Sequence, residues 1–407
     1  MPRASIGWKL LLGTSLLAVM ALTLRPSSAS VGSLPSTCVL CGERGVVDLV
    51  LNIVLFLPIG VALGRLGVRP LMAVGLALVF SGGIELLQHV IPGRAPTWRD
   101  VVMNGIGAGL GAVVARDLRD WLRTLGSAKW ATAAAALPVL IIVFTGLLHT
   151  PSVKSGQWYG QLAPRLAHLG IWEGTVQSAR VGDHRLIHGY LADGPAVQTA
   201  MRDRAPILIE AIAGPRTSRL APIVAISDDE FEEMMLIGQD GDDLIVRERR
   251  VASDLRLFEP ETRFVGWFAT LADGAPFTLR VQFGRGTACA ALNGAAERCA
   301  ARFAAASGWT FLLWRRWWSD PWRSALGALT LVTLFVPLGL LLSPRSGIGR
   351  AALVAASVAG VALAARAVSL ATPTVWEWGA TLAGIAGGVV LRRFILAGAA
   401  SERSSPR

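Results

Sequence analysis

The chain has 407 residues, of which 53% are hydrophobic and only 16% charged, with a mean hydropathy of +0.50. Soluble globular chains carry about 25% charged residues, so a single ordinary soluble domain is excluded. The net charge of +11 is uneven: residues 150–310 carry −2 and the remainder +13. The basic excess therefore accompanies the apolar segments, where it orients a membrane protein, and no nucleic-acid partner is expected.

A hydrocarbon core of about 30 Å needs roughly 20 apolar residues as helix. In chain order, eight segments qualify, at about 8–24, 46–64, 70–88, 100–115, 130–149, 325–342, 351–370 and 376–396. The fourth is short and Gly-rich, so its limits are the least defined. With the N-terminus cytoplasmic, residues such as Arg65, Arg69, Arg116, Arg345, Arg392 and Arg393 collect on the cytoplasmic side. Half as many basic residues fall opposite, which favours cytoplasmic N- and C-termini. Ser28-Ala29-Ser30 also makes a small-residue cleavage site, so a signal-peptide reading of the first span stays open. Either way the other segments keep their sides.

All four cysteines fall in segments that the charge rule places outside. Cys289 and Cys299 flank Asn293-Gly294, a strong hairpin signal, and opposing strands bring them together for a disulfide in an oxidising compartment. Cys38-Val39-Leu40-Cys41 is a C-x-x-C that reads as redox-active or half a metal site. No second Cys pair or His cluster completes it, and a structural pair or dimer crosslink is preferred. No metal site is expected.

The second to fourth spans place polar groups where they are expensive. They read Asn52-Ile-Val-Leu-Phe56-Leu-Pro58-Ile-Gly60, then Ser81-Gly-Gly-Ile-Glu85-Leu-Leu-Gln88, then Gly93-Arg94, then Asp100-Val-Val-Met-Asn104-Gly-Ile-Gly107-Ala-Gly-Leu-Gly111. Ser81, Glu85 and Gln88 share one helix face, as do Asp100, Asn104, Gly107 and Gly111. Gly107 and Gly111 let two helices approach closely. Glu85, Gln88, Arg94 and Asp100 gather toward the outer surface, which predicts one polar pocket. In it Glu85, Arg94 and Asp100 are the candidate catalytic groups, and Asn52, Ser81, Gln88 and Asn104 the candidate ligand-binding ones. The structural alternative is that Glu85 and Arg94 pair or snorkel, that the asparagines glue helix contacts, and that Pro58 and Gly60 serve a kink and a packing contact.

This run resembles the VanZ-like family over about residues 8–149, since every element of that family's pattern recurs in order. The family takes its name from a member conferring low-level resistance to the glycopeptide antibiotic teicoplanin. The resemblance implies a cell-envelope membrane protein, here of the bacterial inner membrane, and names no reaction. Further on, Phe335-Val-Pro337-Leu-Gly339 repeats Phe56-Leu-Pro58-Ile-Gly60 at an offset of 279. Glu377-x-x-x-Thr381-x-x-Gly384-x-x-x-Gly388 repeats the Asp100 run at an offset of 277. The last three spans thus read as a decayed copy, with Ala362, Ala365 and Ala371 where Glu85, Gln88 and Arg94 stand. Parallel repeats also occur in transporters. Arg366, in the seventh span, is expected to pair with Glu377.

From residue 172 short alternating runs appear: Ile207–Ala213, Ile223–Ser227, Met234–Ile237, Leu244–Arg247, Phe264–Phe268 and Phe277–Phe283. With turn clusters between them they predict a sandwich or jelly roll. Their order is similar to the concanavalin A-like, laminin-G-like superfamily, which implies glycan binding, in some members with calcium and in some with glucan hydrolysis. No Glu-x-Asp-x-x-Glu strand supplies a carboxylate pair for hydrolysis. Asp228, Asp229 and Glu230, with Asp240, Asp242 and Asp243, offer hard oxygen ligands for calcium, though solvated turns are the preferred reading and no cofactor is expected. Trp309, Trp314-Arg-Arg-Trp-Trp318 and Trp322 read as an interfacial belt on the outer surface.

The expectation is a polytopic α-helical membrane protein of about eight transmembrane helices with an inserted all-β jelly-roll or sandwich domain. Its parts are five helices over 1–149, an extracytoplasmic sandwich with a Trp-rich exit over 150–320, and three helices over 321–407. Its expected partners are the lipid bilayer, a lipid-linked or surface glycan, and envelope-assembly proteins. It binds or processes that glycan, with Glu85 or Asp100 as acid/base and Arg94 as anion clamp. The alternatives are a non-catalytic scaffold for exopolysaccharide or cell-wall assembly, and after that a transporter.

Overall fold

A computed structural model describes residues 2–26, 45–94, 96–124, 128–166, 169–284, 286–313, 318–342 and 347–403. Cys38, Cys41, Ser28-Ala29-Ser30, Trp314, Arg315, Arg316 and Trp317 lie outside the described residues. Five helices come first: α1 (Pro2–Thr23), α2 (Gly45–Arg65), α3 (Pro70–Gln88), α4 (Trp98–Thr124) and α5 (Ala128–Leu148). Among the described residues six helices are long and apolar enough to cross a membrane: α1, α2, α3, α5 and, after the β region, α8 (Asp320–Leu341) and α9 (Ile348–Ala367). The other two expected spans fall in α4 and α10 (Val375–Arg403). Both are helical, but their glycines and charged first turns make them less apolar, and they lie along neighbouring helices.

The helix pairs α2/α4 and α8/α10 are each drawn together by glycines. A methyl group on Gly60 would lie 2.0 Å from the Ala108 carbonyl oxygen, and one on Gly339 2.0 Å from that of Ile385. Gly107 and Gly111 meet the carbonyls of Ile53 and Leu57, while Gly384 and Gly388 meet those of Val332 and Val336. Such backbone approach is what small residues permit where lipid offers no hydrophobic drive. Phe56 and Phe335 are buried at matching places in the two pairs. The third helices differ. α3 packs along α4, whereas α9 packs along α5, where the Ser357 hydroxyl donates to the Ala135 carbonyl at 2.6 Å.

Between α5 and α8 lie two antiparallel six-stranded sheets. One runs β4 (Gly189–Tyr190), β1 (Trp158–Leu162), β6 (Thr217–Asp228), β7 (Glu233–Gly241), β8 (Asp243–Glu248), β9 (Thr262–Phe264). The other runs β12 (Arg298–Cys299), β11 (Thr287–Leu292), β10 (Pro276–Gly284), β5 (Ile207–Ile212), β2 (Thr175–Val181), β3 (His184–Arg185). Alternate residues of each sheet, among them Ile207, Ile209, Val224, Ile226, Leu279 and Val281, share one buried core. Period-two burial is clean in β10. It fails in β6 and β7, which are buried on both faces because Leu169 covers Leu220, Leu236 and Ile245 on the far side. Two short helices, α6 (Gly194–Arg202) and α7 (Val251–Asp254), and the 3₁₀ segment Ala305–Phe311 complete the domain.

The expected Phe264–Phe268 strand is corrected. β9 ends at Phe264, and the chain turns at Gly266, whose φ is +65°, to tuck the Trp267 and Phe268 rings into the core. Strands β1 and β2 and helix α6 lie outside the runs read from the sequence. The disulfide is as expected: Cys289 and Cys299 are cross-strand partners and bonded. Asn293 and Gly294 both have positive φ, 52° and 71°, although the loop runs to residue 297 and exceeds a two-residue hairpin.

Candidate functional site

Helices α2 to α5 are joined by short connections and alternate in direction, and the Gln88 side chain ties the end of α3 to the end of α1. The C-terminal ends of α1 and α3 and the N-terminal ends of α2 and α4 therefore face the side from which the sandwich emerges. There the structure divides the expected pocket into three parts.

Gln88 and Arg94 serve the end of α1. The Gln88 side-chain amide donates to the Thr23 carbonyl at 3.0 Å, and Arg94 donates through Nε to Arg25 (2.8 Å) and through Nη2 to Leu22 (2.9 Å). The last carbonyls of a helix lack intrahelical donors and carry partial negative charge, so a guanidinium suits them. Arg94 thus reaches α1 and does not pair with Glu85.

Glu85 turns to the start of α4, where its Oε2 accepts from the Thr97 backbone N–H at 2.8 Å. The Thr97 hydroxyl in turn accepts from the Asp100 N–H at 3.3 Å, capping the helix. Arg99, whose side chain is only 8% exposed, reaches Asp48 of α2 at 3.2 Å and Asp100 at 3.3 Å. Asp48, Arg99 and Thr97 were not singled out from the sequence. The available signal was a pair of opposite charges, each in the first turn of an apolar helix. Three carboxylates, one guanidinium and a helix N-terminus thereby converge from three helices.

Deeper in, the buried Asn104 amide donates to the buried Ser81 hydroxyl at 2.8 Å, while Asn104 Oδ1 has no hydrogen-bond partner among the described residues. Asn52 is half-buried and makes no hydrogen bond among the described residues. Arg366 is exposed and does not pair with Glu377, another correction. Glu377 accepts instead from the N–H (2.7 Å) and hydroxyl (2.9 Å) of Thr374, one turn away, which satisfies it locally.

The acidic residues weighed for calcium are largely engaged. Asp228 accepts the N–H groups of Glu230 and Glu232, Arg263 bridges Asp240 and Asp243, and Arg216 bonds Asp242 at 2.6 Å.

A second polar assembly joins α5 to the sandwich. Arg250, 1% exposed, donates to the His149 carbonyl and pairs with Glu248 at 3.4 Å. The His149 ring lies against Phe303 and Phe311, with centroids 4.4 and 4.6 Å away, and its Nδ1 donates to the Thr145 carbonyl at 2.8 Å. Burial, helped by the Arg250 charge and opposed by the Thr145 bond, holds its pKa down at about 4. It is neutral at physiological pH. Nearby, burial beside the Glu233 carboxylate pushes Glu259 up to about 8.

Residues 13–120 match the VanZ/LLP1 family model, a stretch that includes α2, α3 and the polar cluster. No curated protein and no solved structure matches the chain. Residues 13–120 are therefore similar to that family, in a chain whose apolar helices are those of a multi-pass membrane protein and which also carries a β domain.

Proposed function

We propose that this is a cell-envelope protein of the bacterial inner membrane that binds or processes a lipid-linked or surface glycan at the cluster of Asp48, Glu85, Arg99 and Asp100. The observation that carries the reading is the convergence of these groups, from three helices, at the helix ends that face the sandwich. A carboxylate among apolar helices is costly unless it serves a purpose. Glu85 and Asp100 are placed for proton transfer, and the anion-binding part first assigned to Arg94 falls to Arg99. The helices α8 to α10 are, on this reading, a diverged copy of α2 to α4, which accounts for the matched glycine contacts. The bundle then has eight spans, with both termini cytoplasmic and the sandwich outside.

The sandwich, on the laminin-G-like reading, engages glycan or a partner. Supporting this, the chain's two tyrosines, Tyr159 and Tyr190, are cross-strand neighbours on β1 and β4 with centroids 5.9 Å apart. Tyr190 is exposed, and the pair offers both ring faces and hydroxyls. A shallow concavity on the opposite sheet, bordered by Thr278, Arg280 and Glu297, is a second polar surface.

Native mass spectrometry of the detergent-solubilised protein tests the reading through co-bound envelope lipids and glycans. A lipid-linked species held by the intact protein and lost in Glu85→Gln/Asp100→Asn supports it. Retention in that variant but loss in Tyr190→Ala supports the second reading, a non-catalytic scaffold of exopolysaccharide or cell-wall assembly. What favours the scaffold is that Gln88 and Arg94 are already committed to α1.

A further inference from the structure

A cavity of about 360 Å³ lies where the sandwich meets α8 and α10, away from the cluster. Glu259 and Thr262 line its sandwich side, Arg302 and Trp309 the exit segment, and Gly327 and Trp376 its membrane side. Gly327 stands seven residues into α8, about 10 Å along the helix at 1.5 Å per residue. The cavity therefore runs from the domain into the upper part of an apolar span. Its lining changes on the way, from hydroxyls and guanidinium groups to Ala306, Gly327 and the Trp376 ring. Tryptophans at this depth mark the headgroup level of a bilayer.

The equivalent place in α2/α4 explains the space. At the offsets of 279 and 277, Gly327 corresponds to Asp48 and Trp376 to Arg99. One pair of helices fills that position with an ion pair. In the other, a methyl on Gly327 would lie 3.4 Å from the Trp376 ring, so the two close the floor without charge.

The charges around the cavity favour an anion. Arg302 is exposed and has no carboxylate partner among the described residues, and Arg323 pairs with Asp320 at 2.7 Å at the edge. Three guanidinium groups (Arg263, Arg302, Arg323) line the cavity against two carboxyl groups (Glu259, Glu261); Glu261 pairs with Arg247 at 3.3 Å, and Arg263 is held by Asp240 and Asp243. Glu259, raised by burial to about 8, is mostly protonated at neutral pH and does not repel an anion.

We propose that this cavity binds the headgroup of a membrane lipid that bears a phosphate and a net negative charge, with the phosphate at Arg302 and Arg323 and the first chain carbons over Gly327 and Trp376. The proposal does not depend on the role assigned to Glu85. The test is native mass spectrometry of the full chain, delipidated in detergent and titrated with phosphatidylglycerol, a polyprenyl phosphate, phosphatidylcholine or inorganic phosphate. Both anionic lipids are expected to be retained at least ~10-fold better than phosphatidylcholine, the scale of one charge-assisted contact. Excess inorganic phosphate should not displace them. Arg302→Glu and Ser324→Trp, both at exposed positions on the cavity rim, should each remove that preference while leaving the helical signal intact. Equal retention of phosphatidylcholine, displacement by inorganic phosphate, or unchanged retention in both variants overturns the assignment. Loss in Glu85→Gln/Asp100→Asn with retention in the rim variants would place the lipid at the other cluster and also overturn it.

Discussion

The α2–α4 and α8–α10 regions share their closest contacts and differ in how the last helix of each is capped. In both, glycines at matching positions press one helix backbone against another. In both, a threonine (Thr97, Thr374) precedes the last helix, and its N–H needs an acceptor. In α2–α4 that acceptor is Glu85 of α3, a residue from another helix. In α8–α10 it is Glu377 of the same helix, and alanine stands where Glu85 would be. The first arrangement ties α3 to α4 and leaves Asp100 to Arg99. The second makes the cap local, and α9 lies along α5 instead. Moving one acceptor from a neighbouring helix to the helix itself thus separates a packing motif from a polar cluster.

Four experiments press on this comparison, from the largest effect to the smallest. Gly60→Val and Gly339→Val each force a side chain to within 2.0 Å of a carbonyl. Each should destabilise by about 3 kcal/mol, toward the upper end of overpacking costs, read as loss of folded protein in thermal denaturation. If only one does so, the two helix pairs are not equivalent. Arg94→Ala should cost about 1–2 kcal/mol by exposing the carbonyl end of α1, whereas Ala371→Arg should gain nothing. A neutral Arg94→Ala would return that residue to the pocket.

Caps come next. Thr97→Ala and Thr374→Ala should each lower stability by about 1 kcal/mol. Glu377→Gln should weaken only its own cap, but Glu85→Gln should also loosen α3 from α4, detectable as faster amide exchange at the start of α4. Equal exchange in the two variants would contradict the difference drawn between them.

Outside this ranking, pH dependence tests the seam between the helices and the sandwich. Glu259 has a folded pKa of about 8 against an ordinary 4.5. Its contribution is full below 4.5 and is lost as pH rises through 8. His149 lies at about 4 against 6.5, so its contribution is present above 6.5 and is lost as pH falls through 4. Glu259→Gln should flatten the fall of Tm as pH rises from 4.5 to 8, and His149→Phe the fall as pH drops from 6.5 to 4. Parallel shifts at all pH values would show that neither group titrates as described.

The sequence by itself determined what depends on local pattern. Apolar length and charge placement marked the helices, alternation marked β5, β8 and β10, short continuous apolar runs marked β6 and β7, and the glycine spacing marked the close helix pairs. The Asn-Gly turn foretold the Cys289–Cys299 bond. Helical periodicity puts Ser81 and Asn104 each on a defined face, and the two side chains meet there at 2.8 Å.

Only the tertiary structure decided which polar group meets which. Arg94 follows Glu85 by nine residues, yet it reaches back to the unsatisfied carbonyls at the end of α1, while Glu85 turns the other way to the Thr97 N–H. Asp48 and Arg99 are 51 residues apart and meet only because Gly60 and Gly111 bring α2 against α4. Arg250 and His149, 101 residues apart, join the sandwich to α5 by a contact that no local pattern encodes. Periodicity reports the face a residue occupies; its partner depends on which helix ends and strands the packing brings within hydrogen-bond reach.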